Sequence, residues 1–595
     1  MTPVQRRRRL PAILAALSLV LALAAPTAAA KPADPPGQLI DLQLLAFNDY
    51  HGHLEADTPG AIYGVPAGGG EYLSAKLSEL RQGNKYSLTV AAGDLIGGSP
   101  ALSGLFHDEP SVETLNAMGL DVSGVGNHEF DEGVTELLRM QNGGCHPDDG
   151  CYFPDQPYAG ADFPWLAANV FYEESGETVL PPYWIENVNS VKVGFIGMTL
   201  EATDTLVAAS GIQGVDFADE VETANALVPI LQARGVEAII VLLHEGGSQT
   251  PPPGDFDACV GISGPVVSIN AGLDPAIDAM VTGHTHLPYN CALPDPAGVG
   301  RMVTSAYSFG RVVTEMNLVL DKRTKDVRRD LSSAQNHLVD QTQLSRDPAV
   351  TAVLDKWLPL YAEAGNTPVG TITETIFRNG ASDANPGADD RSVESPLSNL
   401  IADAQLWATS ANGAQVAFMN PGGVRANLLY PSSPAGEGDG VVTFGEAFAV
   451  QPFGNTLQTF PLTGAQIQSV LEQQCQPIGA SRPFLHLGVP ANVTYELSKT
   501  IEPVDHDGNA GTPDIAGCTA ITVQNVVISG APLDPATTYM VTANNFLADG
   551  GDNFTTFAAS PGPRIDGGND LEAFMNFLGT FSPVPPPSTD RVIEF

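Results

Sequence analysis

At 595 residues the chain is too long for one hydrophobic core, so two large domains are expected. Apolar residues make up 43% and charged residues only 16%, a globular rather than a disordered composition. The net charge of −41 argues against a nucleic-acid polymer as partner, and any anionic substrate must be held by local cations against a repulsive field.

In chain order, Arg6 to Arg9 form a basic segment, Leu10 to Ala25 are almost wholly apolar, and Ala28-Ala29-Ala30 precede Lys31. This is the pattern of a secretory signal peptide spanning residues 1–30 and cleaved near Ala30; the four arginines leave a twin-arginine signal open. The apolar run is too short for a membrane span, no later stretch is apolar enough for one, and Val584 to Phe595 carries no hydrophobic anchor. A secreted, extracytoplasmic protein without a membrane anchor is therefore expected, with a Pro-rich leader at 31–38. Six cysteines suit an oxidising compartment, and their positions suggest local pairs: Cys145 with Cys151, Cys259 with Cys291, Cys475 with Cys518.

Leu42 to Phe47 reads as a strand that stops at Asn48-Asp49-Tyr50-His51-Gly52-His53. Asp49 and His51 alternate, so in an extended chain they point the same way. An amphipathic helix follows at Glu71 to Gln82, and the strand Ser87 to Ala92 closes on Gly93-Asp94. After a helix at Glu109 to Met118, a short apolar run from Val122 ends at Gly126-Asn127-His128, with Asp131 about one helical turn further on. A helix beginning near Phe130 lets Asp131 reach back and orient His128. Tyr183 to Val188 and Val191 to Met198 read as a hairpin. Val221, Ala224, Leu227, Val228 and Leu231 recur at helical spacing within Asp219 to Arg234. The strands Glu237 to Leu243 and Ala279 to Thr282 end in His244-Glu245-Gly246-Gly247 and Gly283-His284-Thr285-His286, and Val312 to Leu320 closes the region.

Alternating strands and helices from about 40 to 340 predict a layered α/β domain. Of the chain's 11 histidines, six (His51, His53, His128, His244, His284 and His286) lie at these strand ends, together with Asp49, Asp94 and Asn127. Carboxylate, imidazole and amide donors without thiolate suit exchangeable Zn²⁺, Mn²⁺ or Co²⁺ rather than a closed structural zinc. Beyond them, Asp347-Pro348 starts a helix that ends at Gly365, and a second α/β region begins at Asn366. Four blocks stand out there: Arg391 before a helix, the glycine-rich loop Asn420 to Arg425, Gln451-Pro452-Phe453-Gly454, and Asn544 to Asp552, which contains Phe546. Asp505-His506-Asp507-Gly508-Asn509 looks like the start of a calcium loop but lacks the glycine and closing glutamate of an EF-hand, and is read as a surface turn.

Asp-x-His, Gly-Asp, Gly-Asn-His-Glu-x-x-Asp, His-Glu-Gly-Gly and Gly-His-Thr-His, in this order, resemble the blocks of calcineurin-like metallophosphoesterases. Their spacing and the second half are similar to secreted two-domain 5′-nucleotidases over roughly residues 40 to 580. The resemblance implies an α/β (α+β) fold: a four-layer α/β/β/α metallophosphoesterase domain (40–340), a linker helix (345–365) and an α/β 5′-nucleotidase C-terminal domain (366–590). It implies two divalent metal ions bridged by Asp94, with Asp49, His51 and His286 completing one site and Asn127, His244 and His284 the other. Relatives carry Gln or Asn at the place of His286, and His53 falls behind the ligands. His128 would stabilise transition-state charge or protonate the leaving oxygen, oriented by Asp131. In the second half Arg391 and Arg425 would hold phosphate, Phe453 and Phe546 clamp a base, and Asn420 and Asp552 complete the substrate contacts, with Asp552 accepting from the ribose. Arginine grips phosphate bidentately, and aromatic stacking accepts any base. Two departures from the pattern stand out: Ser395 where some relatives have a second arginine, and Pro421 where relatives commonly have glycine.

The expected reaction is hydrolysis of nucleoside 5′-monophosphates to nucleoside and phosphate. Alternatives on the same chemistry are 2′,3′-cyclic nucleotides, 3′-nucleotides or UDP-sugars. A catalytically dead nucleotide-binding surface protein should have lost one of Asp49, Asp94, Asn127, His128 or His244, and all are present. The expected partner is a small nucleotide.

Overall fold

Along the first strand Leu42, Leu44 and Ala46 face one core while Leu45 and Phe47 face another, so this strand is buried on both sides. The computed structural model describes residues 38–56, 59–209, 211–249, 251–431, 436–504, 515–560 and 562–595. The expected signal peptide, leader residues 31–37 and the turn at 505–509 lie outside the described residues.

Strands β1 (Leu39–Phe47), β2 (Ser87–Ala92), β3 (Val122–Gly124) and β4 (Trp165–Leu166) come first. Then follow β5 (Tyr183–Val188), β6 (Val191–Thr199), β7 (Ala238–His244), β8 (Ala279–Thr282), β9 (Tyr289–Pro294) and β10 (Gly300–Ser305). The first half closes with β11 (Val312–Asp321), β12 (Asp326–Val327) and β13 (Ser333–Leu338). One sheet runs β12-β11-β1-β2-β3-β4, with β13 pairing off β11; the other runs β9-β10-β8-β7-β6-β5. β1 to β4 are mutually parallel, and β7 lies parallel to β6 and β8. Between the sheets Leu42, Leu44, Val90 and Val122 meet Phe195, Ile240, Leu242 and Val281.

The outer faces carry helices, with α1 (Gly70–Arg81), α2 (Glu109–Met118) and α3 (Val134–Asn142) on the first sheet's side of the chain, then α4 (Glu220–Ala233) and α5 (Pro265–Gly272). Leu73, Leu77, Val112 and Leu115 cover Leu45, Phe47 and Ala91; Ala224, Val228, Leu231 and Val266 cover Ile196, Ile239 and Val241. Helix, sheet, sheet and helix are thus stacked as four layers. One local expectation is corrected. No long helix starts at Phe130: His128–Phe130 is a single 3-10 turn, and α3 begins only at Val134. Gly133, at φ 89°, turns the chain there in a conformation that side-chain-bearing residues rarely adopt.

Helix α6 (Pro348–Gly365) is capped by Asp347, whose side chain accepts from the Ala349 and Val350 N–H groups. It buries Val350, Leu354 and Trp357 in the first half's core, and the Trp357 indole donates to Glu113 at 2.9 Å. Its far end meets the second half, where a Cβ on Gly445 would collide with the Tyr361 hydroxyl. The second half adds β14 (Val416–Ala417), β15 (Thr456–Thr463), β16 (Val493–Val504), β17 (Ile515–Ile528), β18 (Ala531–Pro532), β19 (Thr538–Asn544), β20 (Ile565–Asn569) and β21 (Val592–Glu594). These form the sheets β14-β19-β15-β20 and β18-β17-β16-β21. Helix α7 (Pro396–Ala408) packs Leu397, Leu400 and Ile401 in a separate cluster. Disulfides join Cys145 to Cys151, Cys259 to Cys291 and Cys475 to Cys518, the pairs expected from position. Among the described residues no helix is long and apolar enough to cross a membrane.

Candidate active site

Asp49, Asp94 and Asn127 follow the carboxyl ends of the adjacent parallel strands β1, β2 and β3, while His244 ends β7 and His284 follows β8 in the facing sheet. Both sheets therefore deliver their strand ends to one place, where open α/β sheets hold ligands. The backbone there is bent sharply: Asp49 (φ 50°), His51 (46°), Asp94 (51°), His284 (68°) and His286 (55°) all sit in the left-handed region. Such residues cluster where function over-determines the conformation. Gly126 is required beside them, because a Cβ would collide with Asp94 Oδ1.

His244 Nε2 stands 2.9 Å from Asp94 Oδ2, and His51 Nε2 stands 3.5 Å from the same oxygen. His286 Nε2 lies 3.1 Å from Asp49 Oδ1 and 3.3 Å from His51 Nε2; His284 Nδ1 lies 3.1 Å from Asn127 Oδ1. In the sets Asp49/His51/His286 and Asp94/His244/His284 the donor atoms fall within 4.8 Å of one another. The tautomers show what belongs between them. His51 Nδ1 faces the Gly97 carbonyl and His244 Nδ1 the Ala92 carbonyl, each at 2.7 Å. A carbonyl only accepts, so both Nδ1 atoms carry protons and each ring turns Nε2 toward carboxylate oxygens, where His51 keeps a lone pair and His244 takes either a proton or a metal ion. Facing lone pairs need a cation between them, and these donors fit a divalent ion of the zinc–manganese class. Burial holds the His51 and His286 pKa values well below the ordinary value and lowers His284 to about 3, keeping these rings unprotonated. Burial also lowers His244, but Asp94 and Asp49 override it and hold the group up at about 10, so positive charge is demanded at this nitrogen.

His128 is anchored twice: its N–H donates to Asp94 Oδ1 at 2.9 Å, and its Nδ1 meets Asp131 Oδ2 at 2.8 Å. His53 stacks on Phe309 with centroids 3.9 Å apart, behind the donor sets. Glu129, to which the sequence reading gave no role, accepts from the N–H groups of Asp94, Leu95 and Gly126 at 2.9, 2.7 and 2.5 Å. Burial and Asp94 raise its pKa to about 7. Its sequence signal is a carboxylate inside the His-Glu-Phe-Asp block beside buried Phe130.

A cavity of about 250 Å³ is lined by Asp94, Asn127, His128, Asp131, His284 and His286 from the first half, and by Arg391, Asn420, Arg425, Phe453, Phe546 and Asp552 from the second. Asp49, His51 and His244 are fully buried. Asn420 donates to Asp552 at 3.3 Å and accepts from Asn544 at 3.0 Å. The Phe453 ring lies 5.8 Å from His128 at 16°, and the Arg425 guanidinium stands 5.7 Å from the Phe453 centroid. Arg482 also lines the cavity, 3.5 Å from Asp389, which Arg391 approaches at 3.1 Å. Burial and the neighbouring Arg391 lower Arg425 and Arg482 to about 10, so both remain cationic at neutral pH. Sequence reasoning missed Arg482. Its segment, Gly479-Ala480-Ser481-Arg482-Pro483, carries no motif that marks it. Ser395 is the N-cap of α7, and its hydroxyl accepts from Ser398 and Asn379 N–H. Pro421 opens a 3-10 turn whose first carbonyl accepts from Asn379 Nδ2 at 2.9 Å.

Comparison with known proteins agrees with this geometry. Residues 42–288 match the calcineurin-like phosphoesterase family and residues 368–559 the 5′-nucleotidase C-terminal domain. The cell wall protein Lmo0130 of Listeria monocytogenes is 32% identical over 95% of this chain and 70% of its own length. The chain belongs to the calcineurin-like phosphoesterases that carry a 5′-nucleotidase C-terminal domain. Endonuclease YhcR of Bacillus subtilis is 31% identical over 92% of this phosphoesterase, which spans only 40% of that relative's length. The 5′-nucleotidase precursor of Thermus thermophilus superposes with a TM-score of 0.72 at 25% identity, over 93% of this chain and 99% of that one. The family is one of metal-dependent phosphoesterases, and the donor sets around Asp94 meet that requirement.

Proposed function

We propose that this phosphoesterase is an extracytoplasmic 5′-nucleotidase that hydrolyses nucleoside 5′-monophosphates. In this reading residues 40–340 carry the chemistry, the helix at 345–365 joins the halves, and residues 366–590 hold the nucleotide. Asp49, His51, Asp94 and His286 would hold one divalent ion and Asp94, Asn127, His244 and His284 another, of Zn²⁺, Mn²⁺ or Co²⁺. When bound, such a pair neutralises phosphate charge and lowers the pKa of a water.

The remaining roles fall to this chain's side chains. Arg391 and Arg425 hold the non-bridging phosphate oxygens, with Asn127 beside them. His128, fixed through Nδ1 by Asp131, presents Nε2 to the leaving 5′ oxygen and supplies its proton or balances its charge. Phe453 and Phe546 stack the base, and Asp552, oriented by Asn420, accepts from the ribose. Phosphoryl transfer needs mainly positioning and charge neutralisation, which this set provides. The observation that carries the reading is one cavity lined by imidazole and carboxylate groups from the first half and by arginines and phenylalanines from the second.

The test is phosphate release from AMP, 3′-AMP, 2′,3′-cyclic AMP, ATP and UDP-glucose, the last assayed after a phosphomonoesterase releases its product's phosphate. AMP should give the highest kcat/KM; preference for a cyclic or 3′-nucleotide would overturn the assignment. Arg482 favours a second reading, because a cation beyond Arg391 and Arg425 leaves a place for a second phosphate, as in a nucleoside diphosphate sugar. UDP-glucose turnover that falls selectively in Arg482→Ala would support it.

A further inference from the structure

His107, Glu132, Glu136 and His146 bring their donor atoms within 4.8 Å of one another, and none of them belongs to the donor sets around Asp49 and Asp94. They come from separate segments: the turn before α2, the link into α3, α3 itself and the loop closed by Cys145–Cys151. The His107 and His146 rings stack with centroids 3.7 Å apart at 12°. Two imidazolium ions would repel in that arrangement. The Asp149 N–H donates to His146 Nδ1 at 3.1 Å, so this nitrogen carries a lone pair rather than a proton, and a metal ion would take it in exchange for that hydrogen bond. His107 Nδ1 points at Glu132 Oε2, 2.6 Å away, while its Nε2 faces Asp149 Oδ2 at 2.9 Å. A ring held by a carboxylate through one nitrogen and aimed at further donors through the other is the arrangement that orients a metal-ligating histidine. Glu136 is held by Arg139, whose Nε donates to both carboxylate oxygens at 2.9 Å, so its position is fixed in advance.

We propose that these four residues form a further divalent metal site, of the zinc class, separate from the catalytic centre. Two imidazoles and two carboxylates without thiolate are a donor set for Zn²⁺ or Co²⁺. Zinc draws tetrahedral donors to roughly 3.3–3.5 Å apart, a contraction within reach of side-chain rotation. The ion would tie the disulfide-closed loop to the start of α2 and to α3. A cavity of about 310 Å³ has His107, Glu132 and Glu136 in its lining together with His128, Asp131 and Phe453, so the site would also brace one wall beside the catalytic histidine. The rival is a proton in place of the metal. Burial lowers the His107 pKa, but Glu132 and Asp149 override it and hold it at about 9.

Equilibrium dialysis of the whole protein against micromolar Zn²⁺, followed by elemental analysis, separates the two. The wild type should carry one zinc more than the His107→Ala/His146→Ala double variant, and Zn²⁺ should raise its Tm by a larger shift. Glu132→Gln, which keeps the shape of the side chain, should lose the same equivalent while keeping the native circular dichroism spectrum, and it decides the matter if the double variant does not fold. Equal zinc contents in the wild type and the folded variants would overturn the proposal and leave His107 as an imidazolium between carboxylates.

Discussion

The two ends of the cavity are built differently. At the metal end the functional groups hang from the ends of parallel strands, with left-handed backbone at five of them and Glu129 binding three N–H groups beneath. The groups from the second half instead sit on loops and single turns: Arg425 after a 3-10 turn, Phe453 after a seven-residue helix, Asp552 within another turn. The sheets leave the first set little freedom, whereas the loops of the second can change residue and length without disturbing a core. Reaction chemistry should therefore be all-or-none at the first end and graded at the second.

The largest effect follows from removing metal. Chelation should abolish hydrolysis of p-nitrophenyl phosphate and AMP alike, and Mn²⁺, Co²⁺ or Zn²⁺ should restore both. Full activity in protein shown by elemental analysis to be metal-free would break the comparison at its root. Next comes His128→Ala. Its ring is hydrogen-bonded to Asp131, and although a donor atom of His128 lies within 4.8 Å of those of His51 and Asp94, its proposed role is that of a proton donor, so the variant should keep its metal content while kcat falls by about 10²–10⁴-fold. Metal loss in that variant would make His128 a ligand rather than a proton donor.

The same contrast explains what could be read from sequence. The cluster of candidate metal donors was legible because each proposed ligand sits in a short block directly after an apolar run, so strand periodicity and chemistry mark the same positions. Glu129 lay inside one of those blocks, yet its role appears only when β2 and β3 come side by side and point three N–H groups at it. The start of α3 was misplaced because Phe130 continues the apolar pattern, whereas Gly133 decides where the backbone turns. Arg482 has no neighbouring motif; it reaches Asp389 across more than ninety residues of chain. The pairing of His107 with His146 was hidden likewise, since α2 and α3 lie between them.

At the graded end, Phe453→Ala and Phe546→Ala should each weaken AMP use by about 1–3 kcal/mol in kcat/KM, the worth of one stacked base. Turnover of p-nitrophenyl phosphate should barely change, and that contrast separates a lost base contact from a folding defect. The 5.8 Å packing of Phe453 on His128 sharpens the test. If Phe453→Ala lowers both substrates equally while Phe546→Ala lowers only AMP, Phe453 acts by positioning His128 and the base rests on Phe546.

The smallest effect is expected at Ser395, where the family pattern and this fold part. If the position still served phosphate, removing its hydroxyl would cost activity. Instead the hydroxyl accepts from the N–H groups of Ser398 and Asn379, both in buried surroundings. Ser395→Ala leaves those two donors without that partner, so it should lower stability by about 1–2 kcal/mol, the usual cost of a lost N-cap. Urea unfolding reads this directly, and kcat/KM for AMP at low temperature should stay close to the parent's. A stable variant with impaired AMP hydrolysis would mean that Ser395 belongs to the phosphate site after all. A destabilised but active one would show a position freed from substrate binding and taken over by the helix, with cationic charge supplied from the Arg482 loop.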